Sequence, residues 1–191
     1  MVFDLNHDGF GTFQEFLEYS EGASVAPASI FVHLCCLEEV NGEYINPGID
    51  VISTARPCAL FSYIVHIIRD FQEDQMNNLN YFALDILAKY NLRPSDLKEI
   101  AMNKGVPETF RKVVEEYQRY ALEYERLTLS EIEKLSGILG GRYLMSLQMI
   151  YQLYKMVFDR IDPEHGQFTG TVLKPSGAEI RQKVVELCSL V

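Results

Sequence analysis

The chain has 191 residues, of which 48% are hydrophobic and 12% are aromatic. This length is enough to bury one sizeable core, and we expect residues 1–191 to form a single domain. The formal net charge is −10, and no Lys or Arg precedes Arg56. Because a nucleic-acid-binding protein would present a basic face, this charge balance argues against a nucleic-acid partner.

The four cysteines, Cys35, Cys36, Cys58 and Cys188, show no Cys-x-x-Cys spacing and have apolar neighbours. They are typical of reduced core residues, and disulfides are the less favoured interpretation. The N-terminal segment lacks the basic and apolar parts of a signal peptide. The longest apolar run, residues 58–68, is too short to span a bilayer and predicts a buried helix. We therefore expect a cytoplasmic protein, and leave peripheral membrane contact as an open alternative.

Almost every segment after Gly11 has helical periodicity and almost none alternates as a strand, so the sequence predicts an all-α fold. Thr12 can cap a first short helix, and a second helix is expected over about 27–40. Asn-Gly and Pro-Gly pairs predict that residues 41–50 form a loop. A long helix should then run from about 53 to 77.

The second half of the chain predicts five more helices. Their expected ranges are about 82–90, 94–104, 108–127, 141–161 and 178–190. The segment 162–177, between the last two helices, is rich in Gly and Pro and predicts a loop or flap. Such a segment could cover a pocket, although a plain connection is the simpler interpretation.

The most informative stretch carries three carboxylates, Asp70, Glu73 and Asp74, directly after an apolar run. Positions three and four apart are neighbours on a helix surface, so these side chains should share one face, with His66 one turn earlier. A cluster of like charges repels itself and is stabilised by a cation. For hard oxygen ligands, that cation is typically Mg²⁺ holding a substrate phosphate. The alternative without a ligand is a solvated helix end on which Arg69 pairs with Glu73.

A second candidate cation site lies at the N-terminus. The segment DLNHDGFGTFQE fits the template of an EF-hand calcium loop, with Gly9 at the sharp turn. Its oxygen ligands would be Asp4, Asn6, Asp8 and Glu15. Almost no sequence precedes it where an entering helix should be, Gly11 replaces the usual apolar anchor, and no second hand is found. An EF-hand-like calcium-binding module is therefore the least favoured interpretation.

The segment around the carboxylates resembles the second aspartate-rich region of the squalene/phytoene synthase family. The family pattern, Gln-x-x-Asn-Ile-x-Arg-Asp-x-x-Glu-Asp followed by an aromatic pair, is matched at Ile67, Arg69, Asp70, Glu73, Asp74, Tyr81 and Phe82. The segments FGTFQEFLEYSEGASVAPASI and YQLYKMVFDRI resemble flanking helices of the same family. The resemblance implies the C-terminal two-thirds of a class I isoprenoid synthase helical bundle, without its N-terminal helices.

The resemblance also implies roles for individual residues. Asp70 and Asp74 would bind Mg²⁺, with Glu73 in support. Arg69 and Tyr81 would contact the diphosphate of a prenyl diphosphate substrate, and Tyr19 and Tyr154 would be catalytic tyrosines.

Three positions depart from the family pattern. Tyr63 replaces Gln, Leu79 replaces a basic residue, and His66 replaces the Asn that helps to hold a magnesium ion. His66 is therefore a candidate metal ligand. Imidazole is a poorer ligand for Mg²⁺ than for softer metals, so a satisfied core histidine is the alternative.

Head-to-head prenyl transfer explains why the family needs such residues. One prenyl diphosphate ionises, Mg²⁺ on carboxylates holds the departing pyrophosphate, and the allylic cation requires a dry cavity. The family's first aspartate-rich motif lies upstream of the matched region, so we expect this chain to carry one of the two clusters. The sequence predicts a squalene/phytoene synthase-like prenyltransferase and leaves its catalytic completeness open. The alternative is a non-catalytic isoprenoid-diphosphate-binding or interaction protein.

Overall fold

The computed structural model describes residues 9–102 and 105–189. The regular secondary structure of these residues is helical apart from one small hairpin and an isolated bridge between Phe10 and Ala83, which confirms the all-α prediction. The helices are α1 (Phe13–Ser20), α2 (Ala26–Cys36), α3 (Val51–Arg69), α4 (Phe71–Met76), α5 (Leu84–Lys89), α6 (Pro94–Met102), α7 (Glu108–Ser136), α8 (Gly141–Phe158), α9 (Gly170–Leu173) and α10 (Gly177–Cys188). A π-helical segment, Glu21–Val25, joins α1 to α2.

Helix α3 lies at the centre of the bundle, where it packs against α2, α7 and α8. It begins after Asp50, whose side chain accepts hydrogen bonds from the backbone N–H groups of Ile52 and Ser53. By length and composition α3 could cross a membrane, but half of its apolar window is buried inside the protein. That burial matches the expected core helix, because a helix that is apolar on nearly all sides is covered by its neighbours.

The region after α2 differs from the prediction. Helix α2 ends at Cys36, and an antiparallel hairpin of β1 (Glu38–Val40) and β2 (Glu43–Ile45) follows it. The turn residues Asn41 and Gly42 have φ values of 56° and 83°, as a type I′ hairpin turn requires. All six strand residues are exposed. Because neither face of the hairpin is buried, its sequence lacks the alternation of apolar and polar residues from which a strand is predicted.

The predicted helix over 53–77 is interrupted at the carboxylate cluster. Helix α3 ends at Arg69 and α4 begins at Phe71, because Asp70 has φ −96° and ψ 4°, outside the helical region. The bend directs the Phe71 ring into the core, where it stacks on Phe110 with ring centroids 4.4 Å apart. Burial of this ring favours the bend over a straight helix.

The segment 162–177 is more structured than a plain loop. It contains the short helix α9, and the side chains of Phe168 and Leu173 are buried. Arg111 Nη1 donates hydrogen bonds to two carbonyl oxygens of the segment at 3.1 and 3.2 Å. The segment is therefore fixed against the bundle, and the residue that follows α9, Lys174, lies beside the carboxylate cluster.

The cysteines are all free, as predicted, but they do not all lie in the core. Cys35 and Cys36 are buried and Cys58 is half-buried, whereas Cys188 is exposed. The prediction of a core position is wrong for Cys188, which is the last residue of α10, where the neighbouring Leu187 is the buried residue.

Candidate functional site

The predicted site residues meet where α3 gives way to α4. Arg69 donates from Nε and Nη2 to the two carboxylate oxygens of Asp70, at 2.8 and 2.6 Å. The predicted pairing of Arg69 with Glu73 is not formed, because the bend at Asp70 places that carboxylate directly in front of the guanidinium. A bidentate pair of this kind holds both groups in a defined orientation.

His66 contacts both members of this pair. Its Nε2 lies 3.0 Å from Asp70 Oδ2, and its Nδ1 lies 3.1 Å from Arg69 Nη2. Burial and the positive charge of Arg69 lower the pKa of His66, which favours a neutral ring that donates from Nε2 and accepts at Nδ1. Both ring nitrogens contact Asp70 and Arg69 here, so His66 supports this pair, and its role as a metal ligand stays a prediction.

Two carboxylates of the cluster have pKa values shifted in opposite directions. Burial opposes ionisation of Asp70, but its hydrogen bond to Arg69 and the nearby positive charges lower its pKa overall. Burial and the charges of Asp70 and Glu73 raise the pKa of Asp74 to about 7. The positive charges of Arg69 and Lys174 offset this effect only in part. Asp74 is therefore a half-buried carboxylate that a cation would stabilise.

The cluster also has a cation that the sequence did not reveal. Lys174 Nζ lies 3.4 Å from Asp70 Oδ1 and 3.4 Å from Glu73 Oε2. No local pattern pairs Lys174 with residues on a distant helix, and only the packing of α9 against α4 brings them together.

The tyrosines named as site residues lie near the same bend. The Tyr63 ring centroid is 6.2 Å from that of Tyr19, 6.5 Å from that of Tyr81 and 6.1 Å from that of His66. Tyr63, noted in the sequence only as a departure from the family pattern, is thus the centre of an aromatic group. Aromatic faces of this kind can stabilise a nearby positive charge.

An apolar cavity of about 330 Å³ lies between α2, α3, α7 and α8. Most of its lining side chains are small or apolar, among them Ala28, Phe31, Val32, Ala55, Ala59, Leu135, Leu147, Ile150 and Tyr154. Val32, Leu135 and Leu147 of this lining belong to one buried hydrophobic cluster. Along α3 the lining runs from Thr54 to Ser62, and Asp70 lies about 12 Å beyond Ser62 at 1.5 Å per residue.

Tyr154 connects the cavity with the carboxylate cluster. Its side chain lines the cavity, and its hydroxyl interacts with the Arg69 guanidinium. The pKa of Arg69 is raised by its hydrogen bond to Asp70 and, to a smaller extent, by this interaction with Tyr154. Of the predicted site residues, the structure therefore joins Tyr154, Arg69, Asp70 and His66 in one continuous network.

The fit of this cluster to Mg²⁺ rests on Asp70 and Asp74. They are one helical turn apart and supply the hard oxygen ligands that Mg²⁺ prefers. In the described part of the chain, no group of three or more His, Cys, Asp and Glu side chains is arranged to hold a metal ion. The two carboxylates would therefore provide part of a coordination shell that phosphate oxygens and water complete.

The N-terminal calcium loop stays a prediction. Glu15 Oε2 accepts a hydrogen bond from the Gly11 N–H at 2.8 Å, and Thr12 Oγ1 accepts one from the Glu15 N–H at 3.2 Å, so Glu15 participates in capping α1. Gly9 has a φ of 106°. The other proposed ligands, Asp4, Asn6 and Asp8, lie outside the described residues.

Comparisons with known proteins agree with this fold. A solved structure described as a dehydrosqualene synthase in complex with ligand matches with a TM-score of 0.70 and 15% sequence identity, over 98% of this chain and 60% of that chain. The likeness confirms the isoprenoid-synthase fold, and this chain spans three-fifths of that structure's length. No curated protein matches the chain. The family model for squalene/phytoene synthase matches residues 1–179, and the chain therefore belongs to the squalene/phytoene synthase family.

Proposed function

We propose that the chain is a magnesium-dependent prenyltransferase of the squalene/phytoene synthase type. In this proposal the diphosphate of a prenyl diphosphate binds at the bend between α3 and α4, and its prenyl tail occupies the apolar cavity. The observation that supports it most is the position of Tyr154, which lines the cavity and contacts Arg69 of the carboxylate network. A substrate with a charged head and an apolar tail needs two such sites in direct continuity.

Different residues would bind the diphosphate head of the substrate and surround its prenyl part. Asp70 and Asp74 would hold Mg²⁺, which neutralises charge on the departing pyrophosphate when it is bound. Arg69 and His66 keep the Asp70 carboxylate ionised and oriented. As the carbon–oxygen bond of the allylic diphosphate breaks, its electron pair leaves with pyrophosphate. The rings of Tyr19, Tyr63 and Tyr81 would then face the developing allylic cation.

The cavity would protect that cation from water. Its lining is dominated by small and apolar side chains, and a water molecule there would find few hydrogen-bonding partners. An allylic cation formed beside it would therefore be captured by the double bond of a second prenyl diphosphate in preference to water. The carbocation formed by this addition would lose a proton, for which the released pyrophosphate is an available base.

The test is release of pyrophosphate by the full chain supplied with farnesyl or geranylgeranyl diphosphate and Mg²⁺. We expect release by the wild type and its loss in Asp70→Asn and Asp74→Asn. The matched control is Glu133→Gln, which removes an exposed carboxylate from α7. Substrate binding without release, in the wild type, would favour the non-catalytic isoprenoid-diphosphate-binding alternative. Failure of the wild type to bind either diphosphate would contradict both.

A further inference from the structure

Lys174 is held at the carboxylate cluster by loose contacts. Its Nζ is 3.4 Å from the nearest oxygens of Asp70 and Glu73, longer than the 2.6 to 2.8 Å bonds from Arg69 to Asp70. About half of the Lys174 side chain is exposed. Ion pairs of this length and exposure are weak, so the ammonium group can leave the carboxylates at little cost.

The backbone that carries Lys174 is fixed, in contrast to its side chain. Leu173, the preceding residue, is 1% exposed, and Phe168 before α9 is 3% exposed. Arg111 holds the start of this segment through two carbonyl oxygens. The four-carbon stem of a lysine allows Nζ to move several ångströms from a fixed Cα. Lys174 is thus a tethered cation with a defined reach.

A groove beside the carboxylates is within reach of the Lys174 ammonium group. Arg69 and Lys174 line a common groove of about 580 Å³ between α4 and α9, together with the polar side chains of Thr171 and Asn77. Two cations with neighbouring hydroxyl and amide groups form a suitable contact surface for phosphate oxygens. Glu73 lines the same groove, so Lys174 can reach it without crossing the core.

A metal ion and Lys174 cannot share Asp70 without repulsion. Mg²⁺ bound to Asp70 and Asp74 would place two positive charges close to the Lys174 ammonium, and like charges at such distances repel strongly. A phosphate group arriving with the metal would offer this ammonium a new partner of opposite charge.

We propose that Lys174 is an exchangeable cation: it neutralises Asp70 and Glu73 in the metal-free protein and moves onto the substrate's phosphate when a divalent ion binds. This proposal rests on the function proposed above, and it adds Lys174 as a diphosphate-binding residue. It predicts opposite changes in two affinities, one for a divalent ion and one for pyrophosphate. Loss of the Lys174 charge should strengthen binding of a divalent ion alone and weaken binding of pyrophosphate in the presence of Mg²⁺.

The test measures both affinities on the full chain. Mn²⁺ is the probe for the metal alone, with free Mn²⁺ measured by electron paramagnetic resonance, and inorganic pyrophosphate with Mg²⁺ is titrated calorimetrically. For Lys174→Gln we expect Mn²⁺ binding about threefold to fivefold tighter, since a weak ion pair is lost. We expect pyrophosphate binding about tenfold weaker, since a charge-assisted contact to phosphate is lost. Lys174→Arg, which keeps the charge, should restore pyrophosphate binding.

The control is Lys183→Gln, which removes the same charge from a Lys183–Glu186 pair on α10. It should change neither affinity. Equal affinities in the wild type and Lys174→Gln would overturn the proposal, and so would weakening of both affinities. In either case the wild type still binds Mn²⁺ and pyrophosphate, and the proposed function is unaffected. If the wild type binds neither, the proposed function fails together with the role of Lys174.

Discussion

The hydroxyl of Tyr154 on α8 interacts with the guanidinium of Arg69 at the end of α3. The same tyrosine lines the apolar cavity, and the same arginine holds Asp70 through two hydrogen bonds. This pair is the physical connection between a site suited to a prenyl tail and a site suited to a diphosphate.

Tyr154→Phe should separate these two functions. The phenylalanine ring still lines the cavity, but the hydroxyl that interacts with Arg69 is lost. We expect affinity for farnesyl diphosphate with Mg²⁺ to fall about tenfold, while the free energy of unfolding changes by no more than about 1 kcal/mol, the usual size of one polar contact. Farnesol, which has the tail without the diphosphate, should bind both proteins alike. Calorimetric titration measures both ligands.

The control for this change is Tyr143→Phe, because Tyr143 lies on the same helix and is exposed. It should leave both affinities unchanged. A Tyr154→Phe protein that binds farnesyl diphosphate as tightly as the wild type would show that the contact with Arg69 does not support the diphosphate site.

Asp74 should make the metal-free protein less stable as the pH rises. Because its pKa is raised from 3.8 to about 7, the folded protein keeps a proton that the unfolded chain has already released. The free energy of unfolding therefore falls between about pH 4 and pH 7. Asp74→Asn removes this effect and should be more stable than the wild type at pH 8, by on the order of 1 kcal/mol after allowance for solvent screening. Urea unfolding in a chelator, from pH 5 to 8, measures the difference.

Asp70→Asn is the matched comparison and should have the opposite sign. The pKa of Asp70 is lowered overall, so its stabilising effect is present above the pKa of an unfolded Asp and is lost as the pH falls through the folded value. At pH 8 the Asp70→Asn protein should be less stable than the wild type by about 1–3 kcal/mol, because Arg69 loses a charged partner. Destabilisation by both substitutions at pH 8 would contradict the conclusion that Asp74 is the carboxylate with the raised pKa.

Metal affinity should depend on pH through the same carboxylate. A carboxylate must lose its proton to bind Mg²⁺, so metal binding competes with the proton on Asp74. Below pH 7 the affinity for Mn²⁺ should fall by up to about tenfold per pH unit, and above pH 8 it should be constant. Titrations at pH 6, 7 and 8 test this expectation. An affinity that does not change between pH 6 and 8 would exclude Asp74 as a ligand with this pKa.

Filling the cavity should remove tail binding and leave the head site intact. Ala28 lines the cavity and is only half-buried, so Ala28→Phe places a ring in the cavity with little demand on the core. We expect affinity for farnesyl diphosphate to fall at least about tenfold, because buried apolar contact area is lost. Affinity for pyrophosphate with Mg²⁺ should not change. Ala88→Phe on the exposed face of α5 is the control, and equal loss of both ligands in Ala28→Phe would argue against a tail site here.

The helices could be predicted from the sequence because their cause is local. Apolar residues at helical spacing and a capping residue such as Thr12 act within a few positions, and the structure confirms most of the expected ranges. The interruption at Asp70 and the short helix α9 were missed because burial of Phe71 and Phe168 decides them. That burial depends on Phe110, which contacts both rings from another helix.

The sequence by itself determined the all-α class and the family, and it placed Asp70, Glu73 and Asp74 together, because residues three and four apart on a helix are neighbours in any fold. Tertiary structure alone decided their electrostatics. It added Lys174 to the cluster, brought Tyr154 to Arg69, and raised the pKa of Asp74 by partial burial beside Asp70 and Glu73. The contacts of Lys174 with Asp70 and of Tyr154 with Arg69 join residues far apart in the chain, so only the packing of the helices could establish them.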